Sequence, residues 1–303
     1  MNTLLHSEKE SHGGAKPQHE KKLNHEEALG FTLHHLSPII GTEVYGIDIG
    51  ADLQDETITF LSDLLVQRKV LFFREQNISM DAHIAFARRF GELEIHPFTA
   101  NNESRPEVIH LANGPDNKPS IDIWHSDVTW REEPSLGSIL RGREIPEVGG
   151  DTLFANMEAA YDGLSAELKE QIDGLYAIHD NSVFLNAMRS KGLSDAEIDA
   201  KSKEFPPVRH PVVRTHPVSG KKSIYVNTTF TQTIEGMDPV EADLLLAKLY
   251  QTAAIPNYQC RFRWAKDSFA FWDNRGAQHY AAADYWPAVR CMERVTIKGD
   301  RPV

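Results

Sequence analysis

Two cysteines, Cys260 and Cys291, are all the thiol that this 303-residue chain carries. They cannot make a disulfide framework, and that scarcity predicts a reducing compartment, the cytoplasm. Basic residues are also in deficit, 32 Lys and Arg against 44 Asp and Glu, for a formal charge of −12 with histidine neutral. Such a balance repels the phosphates of nucleic acid and of anionic membranes, so neither is an expected partner. No run of about 18 apolar residues occurs, which excludes a predicted membrane-spanning helix. The first residues have no apolar h-region and no small-residue cleavage site, and are not read as a secretory signal. Residues 1–29, rich in Lys, Glu, His, Gly and Ser, cannot bury enough apolar surface to offset the entropy of ordering, so a disordered polar tail is expected there. What the chain has in quantity is histidine, 14 in all. Four of them (His6, His12, His19 and His25) belong to the tail and are read as solvated.

Residues 30–303 read as one continuous globular domain with no linker. Lys69-Val-Leu-Phe-Phe-Arg74 is short, apolar and charge-flanked, the pattern of a buried strand. Ile58, Leu61, Leu64 and Leu65 before it recur at helical spacing, and a second helix is predicted from Met80 to Phe90, ending at Gly91. Asp238-Pro-Val-Glu241 reads as a capping box with proline at the first helical position, opening a helix with Leu244, Leu245 and Leu249. Short β-type runs fill the intervals: Ser138-Ile-Leu140, Ser223-Ile-Tyr-Val226, Ser268-Phe-Ala-Phe-Trp272 and Arg294-Val-Thr-Ile297. There is no internal repeat and no regular βα alternation. The pattern predicts a mainly β fold, an antiparallel core with flanking helices, rather than a doubly wound sheet. The polar, partly helical segment 181–209 reads as an insertion or lid.

Chemistry first shows at Trp124-His-Ser-Asp127. On a strand, H-x-D puts imidazole and carboxylate on one face. One further histidine would complete a 2-His-1-carboxylate triad with open positions for non-haem Fe(II). The spacing is weak by itself, because His6-Ser-Glu8 and His25-Glu-Glu27 share it. A candidate third ligand, His279, ends the stretch Phe271-Trp-Asp-Asn-Arg-Gly-Ala-Gln-His279. Beyond it, Arg290 and Arg294 lie four apart in a β-branched run, so strand alternation puts both guanidinium groups on one face. A helix would align them too. An inward pair suits two carboxylate-like or sulfonate-like groups; the alternative is surface ion pairs with carboxylates such as Glu293.

Taken in order, Trp124-His-Ser-Asp127, Gly149-Gly-Asp-Thr152, His210-Pro-Val-Val-Arg-Thr-His-Pro-Val-Ser-Gly220 and Trp272-Asp-Asn-Arg-Gly-Ala-Gln-His279, followed by Arg290 and Arg294, resemble the TauD/TfdA family of Fe(II)- and 2-oxoglutarate-dependent dioxygenases. The resemblance runs from about Gly30 to the C-terminus. It implies a double-stranded β-helix core (jelly-roll, cupin-like), with Fe(II), 2-oxoglutarate and O2 as cofactor and co-substrates. It makes His125, Asp127 and His279 the iron ligands, and gives Arg290 and Thr152 the distal carboxylate of 2-oxoglutarate. Arg294 would meet the acidic group of the primary substrate, with His96, Val128 (through its backbone) and Phe230 as further pocket positions. The remaining histidines, His210 and His216 in a packed turn among them, are read as structural.

The implied reaction is oxidative decarboxylation of 2-oxoglutarate to succinate and CO2, coupled to hydroxylation of the carbon next to a heteroatom in a small organic anion. Where the taurine-cleaving branch has a Tyr and an Asn, this chain has Thr99 and Ile121, and both changes make the pocket more apolar. The expected substrate is therefore an alkyl or aryl sulfonate or a sulfate ester, which would release sulfite or sulfate and an aldehyde. The alternative is an aryloxyalkanoate or other carboxylate, since Ile234-Glu-Gly-Met237 and Cys260-Arg-Phe-Arg-Trp264 resemble that branch. More distant alternatives are a non-catalytic anion-binding jelly-roll, and a zinc hydrolase that would have no need of Arg290 and Thr152. A homo-oligomer, dimer or tetramer, is expected.

Overall fold

Strand alternation divides the apolar residues of this chain between two faces of one sheet. In the strand Phe269–Asp273, Phe269 and Phe271 join a cluster that includes Leu61, Leu65, Ile84 and Phe86, while Ala270 and Trp272 face the opposite way, towards Phe154 and Phe262. The strand Val70–Phe73 divides identically, Leu71 and Phe73 to the first cluster, Val70 and Phe72 to the second. A strand that is apolar on both faces is covered on both, and its sequence reads as a continuous hydrophobic run.

These features belong to a computed structural model that describes residues 29–98, 102–119 and 121–303. Apart from Leu29, the tail expected over 1–29 lies outside the described residues, as does Thr99. The main sheet has seven strands in the order Thr32–His35, Thr42–Tyr45, Val70–Phe73, Phe269–Asp273, Gly137–Glu144, Arg290–Ile297 and Val108–Asn113. All its pairings are antiparallel except Thr42–Tyr45 with Val70–Phe73. Helices Asp55–Arg68 and Met80–Arg88 cover one face through Ile58, Leu61, Leu65, Ile84 and Phe86. A three-stranded sheet, Gln259–Phe262, Thr152–Asn156 and Ala277–Ala281, covers the other, with Phe72 stacked on Phe262 at 4.0 Å between ring centres. Loop 274–276 crosses from one sheet to the other. A second three-stranded sheet, Thr231–Ile234, Tyr176–His179 and Val208–Pro211, packs with helix Pro239–Ala253 around a separate aliphatic cluster. The fold is thus mostly antiparallel sheet with flanking helices, as the sequence predicts. Among the described residues no helix is long and apolar enough to cross a membrane.

Four local expectations need correction. Lys69 does not open the strand: it closes helix Asp55–Arg68 in the left-handed region (φ 64°), its N–H donating to the Leu65 carbonyl, and its ammonium is buried against Glu158 at 2.6 Å. The second helix ends at Arg88 rather than Phe90. Asp238 caps its helix by accepting from the N–H groups of Val240 and Glu241, so the cap is one-sided and no box forms there. The full reciprocal box sits at Ser194 and Glu197, inside the segment 181–209, which folds as helices Ser182–Ser190 and Asp195–Glu204. Finally, His-Ser-Asp127 is not a strand. His125 makes a single bridge and the chain turns immediately after Asp127, with Val128 at φ 49°.

Candidate active site

His125 and His279 are brought together by their own backbones. The His125 N–H donates to the His279 carbonyl at 3.1 Å and the return bond is 2.8 Å, an antiparallel bridge that leaves the two imidazoles 4.2 Å apart between ring centres. Side chains opposite one another across such a pair project to the same side. Asp127 completes the group, and one ligand atom from each of the three residues lies within 4.8 Å of the others. The Nδ1 of His125 bonds to the Ile123 carbonyl at 2.9 Å, which leaves Nε2 for the centre, 3.8 Å from the Asp127 carboxylate. His279 is enclosed by the rings of Phe154 and Trp272.

The charge states suit metal binding. Burial pushes His279 down to about 3, aided by the neighbouring His125, and burial lowers His125 as well against the opposing pull of Asp127. Burial disfavours the Asp127 anion, but Arg294 and the two histidines outweigh it and hold the carboxyl well below its usual range. Near neutral pH the group is therefore two neutral imidazoles and one carboxylate, the protonation state in which these side chains ligate. Two nitrogens and one oxygen on one side of a cation, with the remaining positions open, form the donor set of a facial triad for Fe(II). The residues fit that ion.

Arg290 and Arg294 share the face of Met292, the face turned towards the smaller sheet, because Arg290–Ile297 is a strand. Glu293 points the other way, 3.5 Å from Arg143 and 3.9 Å from Arg141, so it does not serve as their surface partner. Arg290 is buried over the rings of Trp264 (5.8 Å) and Tyr285 (5.9 Å), and its Nε donates to the Gly150 carbonyl at 3.1 Å. Gly150 is needed there: its φ is +70°, and a Cβ would stand 3.1 Å from the arginine Cδ. The Nη2 of Arg290 is buried with no hydrogen-bond partner among the described residues. A buried unpaired donor on a cation is costly, and a carboxylate satisfies it, so the residues fit 2-oxoglutarate too. Thr152 accepts from the Trp264 indole N–H at 2.9 Å, so one indole borders both residues that the sequence assigns to this co-substrate.

Arg294 is placed differently: its Nη1 donates to both oxygens of Asp127, at 3.0 and 3.1 Å, while its buried Nε has no partner among the described residues. His96 is buried, and burial, with Arg294 and Arg131 nearby, pushes it down to about 3. Its Nδ1 accepts from the Phe98 N–H, which places the imidazole proton on Nε2, the tautomer that can donate to an anion. Phe230 is buried with its ring 6.4 Å from that of His125. Ile121 is 47% exposed, at the surface rather than in a buried pocket wall.

Other residues here are not singled out by sequence. Trp130, Phe98, Phe184 and Phe205 join Phe230 and Val128 in one aromatic cluster. Phe184 and Phe205 come from the segment read as an insertion, and two phenylalanines in so polar a stretch were the available signal. Asn274 hydrogen-bonds to the backbone of Asp127 on both sides. Two residues of the expected packed turn also support the site from behind. His210 bonds the Arg131 carbonyl at 2.8 Å, and His216 bonds the fully buried Asp273 at 2.9 Å, so both are structural.

Residues 32–296 match the family described as taurine catabolism dioxygenase TauD, TfdA family. The chain belongs to this family. As a TauD/TfdA member it is a 2-oxoglutarate-dependent dioxygenase that uses Fe(II), 2-oxoglutarate and O2. It is 33% identical over 281 residues to an alpha-ketoglutarate-dependent sulfate ester dioxygenase of Pseudomonas putida, covering 91% of this chain and 92% of that one. It is 32% identical over 290 residues to an alpha-ketoglutarate-dependent 2,4-dichlorophenoxyacetate dioxygenase of Cupriavidus pinatubonensis, covering 88% and 98%. Among solved structures, a taurine dioxygenase from Burkholderia xenovorans superposes with a TM-score of 0.77 at 33% identity, covering 90% and 91%.

Proposed function

We propose that this chain hydroxylates the carbon next to the heteroatom of an alkyl or aryl sulfonate or sulfate ester, releasing sulfite or sulfate and an aldehyde. The observation that carries this reading is a buried triad with two arginines on one strand face beside it, each keeping a buried N–H unpaired. Two cations with unused donors suit two anions, the co-substrate and the primary substrate. The similarity to the sulfate ester dioxygenase of Pseudomonas putida favours a sulfur oxyanion as the second.

Fe(II), held by His125, Asp127 and His279, supplies O2 activation coupled to decarboxylation of 2-oxoglutarate. The protein's part is placement. Arg290 takes the distal carboxylate of 2-oxoglutarate through its unpaired Nη2. Thr152, already accepting from the Trp264 indole, keeps its own hydroxyl proton to donate to the same carboxylate. Arg294 and the Nε2 proton of His96 hold the anionic head of the substrate, and the backbone at Val128 borders it. Phe230 and the rings around it exclude water and pack against the carbon chain, which suits a longer apolar tail than that of taurine.

The architecture fits a double-stranded β-helix, or jelly-roll, a reading supported by two mostly antiparallel sheets stacked through Phe72, Phe154, Phe262 and Trp272, with His279 of the triad against Phe154 and Trp272. We read residues 30–303 as one dioxygenase domain, place the reaction in the cytoplasm, and expect a dimer or tetramer without nucleic-acid or membrane partners.

A panel of alkyl sulfates, sulfonates and aryloxyacetates, scored by succinate formation with Fe(II) and 2-oxoglutarate, tests the substrate. Turnover should be highest, with sulfate or sulfite released, for sulfur oxyanions bearing an apolar tail. Preference for the aryloxyacetates would overturn the assignment in favour of a carboxylate substrate.

A further inference from the structure

Asp127 supplies a ligand from outside any regular element. The ladder that aligns the two histidines lasts for one bridge, and the next residues turn away with Val128 in the left-handed region at φ 49°. A β-branched residue in that conformation is strained, and such a turn persists only where its surroundings over-determine it. The position of the carboxylate must therefore be fixed by something other than its own backbone.

Asn274 meets that need. Its Oδ1 accepts the Asp127 N–H at 2.7 Å and its Nδ2 donates to the Asp127 carbonyl at 2.9 Å. The same Nδ2 reaches the carbonyl and hydroxyl of Ser135 at 3.3 and 3.2 Å. A primary amide offers the donor and acceptor of a peptide group, so this side chain stands in for a strand partner one step beyond the last true bridge. Between the two, the Ser126 hydroxyl donates to the Ala277 carbonyl at 2.9 Å. Three successive residues, 125 to 127, are thus tied in turn to 279, 277 and 274.

The anchor is itself fixed. The Asn274 N–H donates to the Leu136 carbonyl at 2.9 Å and the Asp273 N–H to the Lys69 carbonyl at 2.8 Å. The Asp273 carboxylate accepts from His216 (2.9 Å) and from the backbone N–H, Nε and Nη2 of Arg275 (3.1, 2.8 and 2.9 Å). Loop 274–276 therefore crosses between the sheets in one geometry, with Asn274 1% exposed and aimed at Asp127.

We propose that Asn274 is a positioning residue for the metal: by clamping both peptide groups of Asp127 it holds the carboxylate at ligand distance from the two histidines before the ion arrives. The inference rests on the iron-site reading above. Partners of this kind govern metal affinity, and losing one typically weakens binding by about 10–100-fold.

Gln76 provides the matched control. It is another buried amide, whose Oε1 accepts the Ile49 N–H at 2.9 Å and whose Nε2 donates to the Ile47 carbonyl at 3.1 Å, and it touches no triad residue. Co(II) binding by the full-length chain, followed by calorimetry and by the visible d–d spectrum, separates placement from stability. Asn274→Ala should weaken Co(II) binding by about 10–100-fold and change the spectrum, whereas Gln76→Ala should lower Tm and leave both within about twofold of the parent. Should Asn274→Ala fail to fold, Asn274→Asp keeps the acceptor and loses the donor. Its added negative charge alone would tighten cation binding, so weaker binding by that variant supports the proposal. Parent-like Co(II) affinity and spectrum in a folded Asn274 variant would overturn the role of Asn274 alone. Failure of the parent to bind Co(II), or undiminished binding by His279→Ala, would remove the iron site and this proposal together.

Discussion

At one end of the strand Arg290–Ile297 a guanidinium is buried among rings, with one backbone carbonyl for company. Four residues on, in the middle of the same strand, a second guanidinium lies across both oxygens of the Asp127 carboxylate. The spacing and the face are shared; the electrostatic settings are opposite. Burial lowers the Arg290 pKa, with Tyr285 and Asp151 only partly opposing it, so the protein bears the desolvation of a charge without a carboxylate bonded to it. Arg294 is compensated by Asp127, the same anion that is the proposed metal ligand. A site that tolerates an uncompensated cation is prepared for an anion that arrives with the opposite charge. A site whose cation already has a partner must share that partner with whatever binds next. Under the proposed assignment, this comparison predicts that the Arg290 end is specific for one co-substrate and that the Arg294 end couples the substrate anion to the proposed metal ligand.

The largest expected break in the comparison is Arg290→Ala. It should raise KM for 2-oxoglutarate by about 100-fold or more, the scale of losing a buried charge-assisted pair, with KM for the sulfur oxyanion within a few-fold of the parent. Arg294→Ala should do the reverse, raising KM for the sulfur oxyanion by about 10–100-fold with little change for 2-oxoglutarate. It should also tighten Co(II) binding, because a positive charge beside Asp127 is gone. Steady-state kinetics on both substrates checks the pair, and exchanged phenotypes would refute the assignment of the two ends. The smallest effect belongs to Trp264→Phe, which retains a ring near Arg290 but withdraws the N–H from Thr152. KM for 2-oxoglutarate should shift by about two- to fivefold, about the worth of one neutral hydrogen bond. No shift would mean that the indole does not tune that end.

Much of this contrast is legible from residue order. Alternation alone put Arg290 and Arg294 on one face, and the strand shows it, because β-branched residues at Val295, Thr296 and Ile297 leave little ambiguity. The three triad residues were likewise reachable from motif and resemblance. What sequence did not disclose were the contacts that decide how the two cations differ. Strand logic for His-Ser-Asp127 gave the correct pairing of side chains for an incorrect reason, since the segment is a bridge followed by a strained turn held by Asn274, 147 positions away. No local propensity encodes a side-chain amide acting as a strand partner. Lys69 was misread for a related reason. A charge flanking an apolar run signals a strand end, but a buried ion pair with Glu158 let it serve as a left-handed helix stop. The aromatic cluster escaped notice because Phe184 and Phe205 are separated in the chain from the rings they meet.

The place of the last strand has a consequence for how the protein is made. Arg290–Ile297 is not an edge strand; it is inserted between Gly137–Glu144 and Val108–Asn113 and pairs with both. During synthesis, at roughly 5–20 residues per second, its two neighbours emerge well before it and must wait without their shared partner. The link between those two neighbours and the counter-charge to Asp127 both come from this strand, the last in chain order among the described residues. A chain released early would have His125, Asp127 and His279 but neither arginine. The order of pairing in this part of the sheet thus reverses the order of synthesis: the strand that joins Gly137–Glu144 to Val108–Asn113 is the last of the three to emerge.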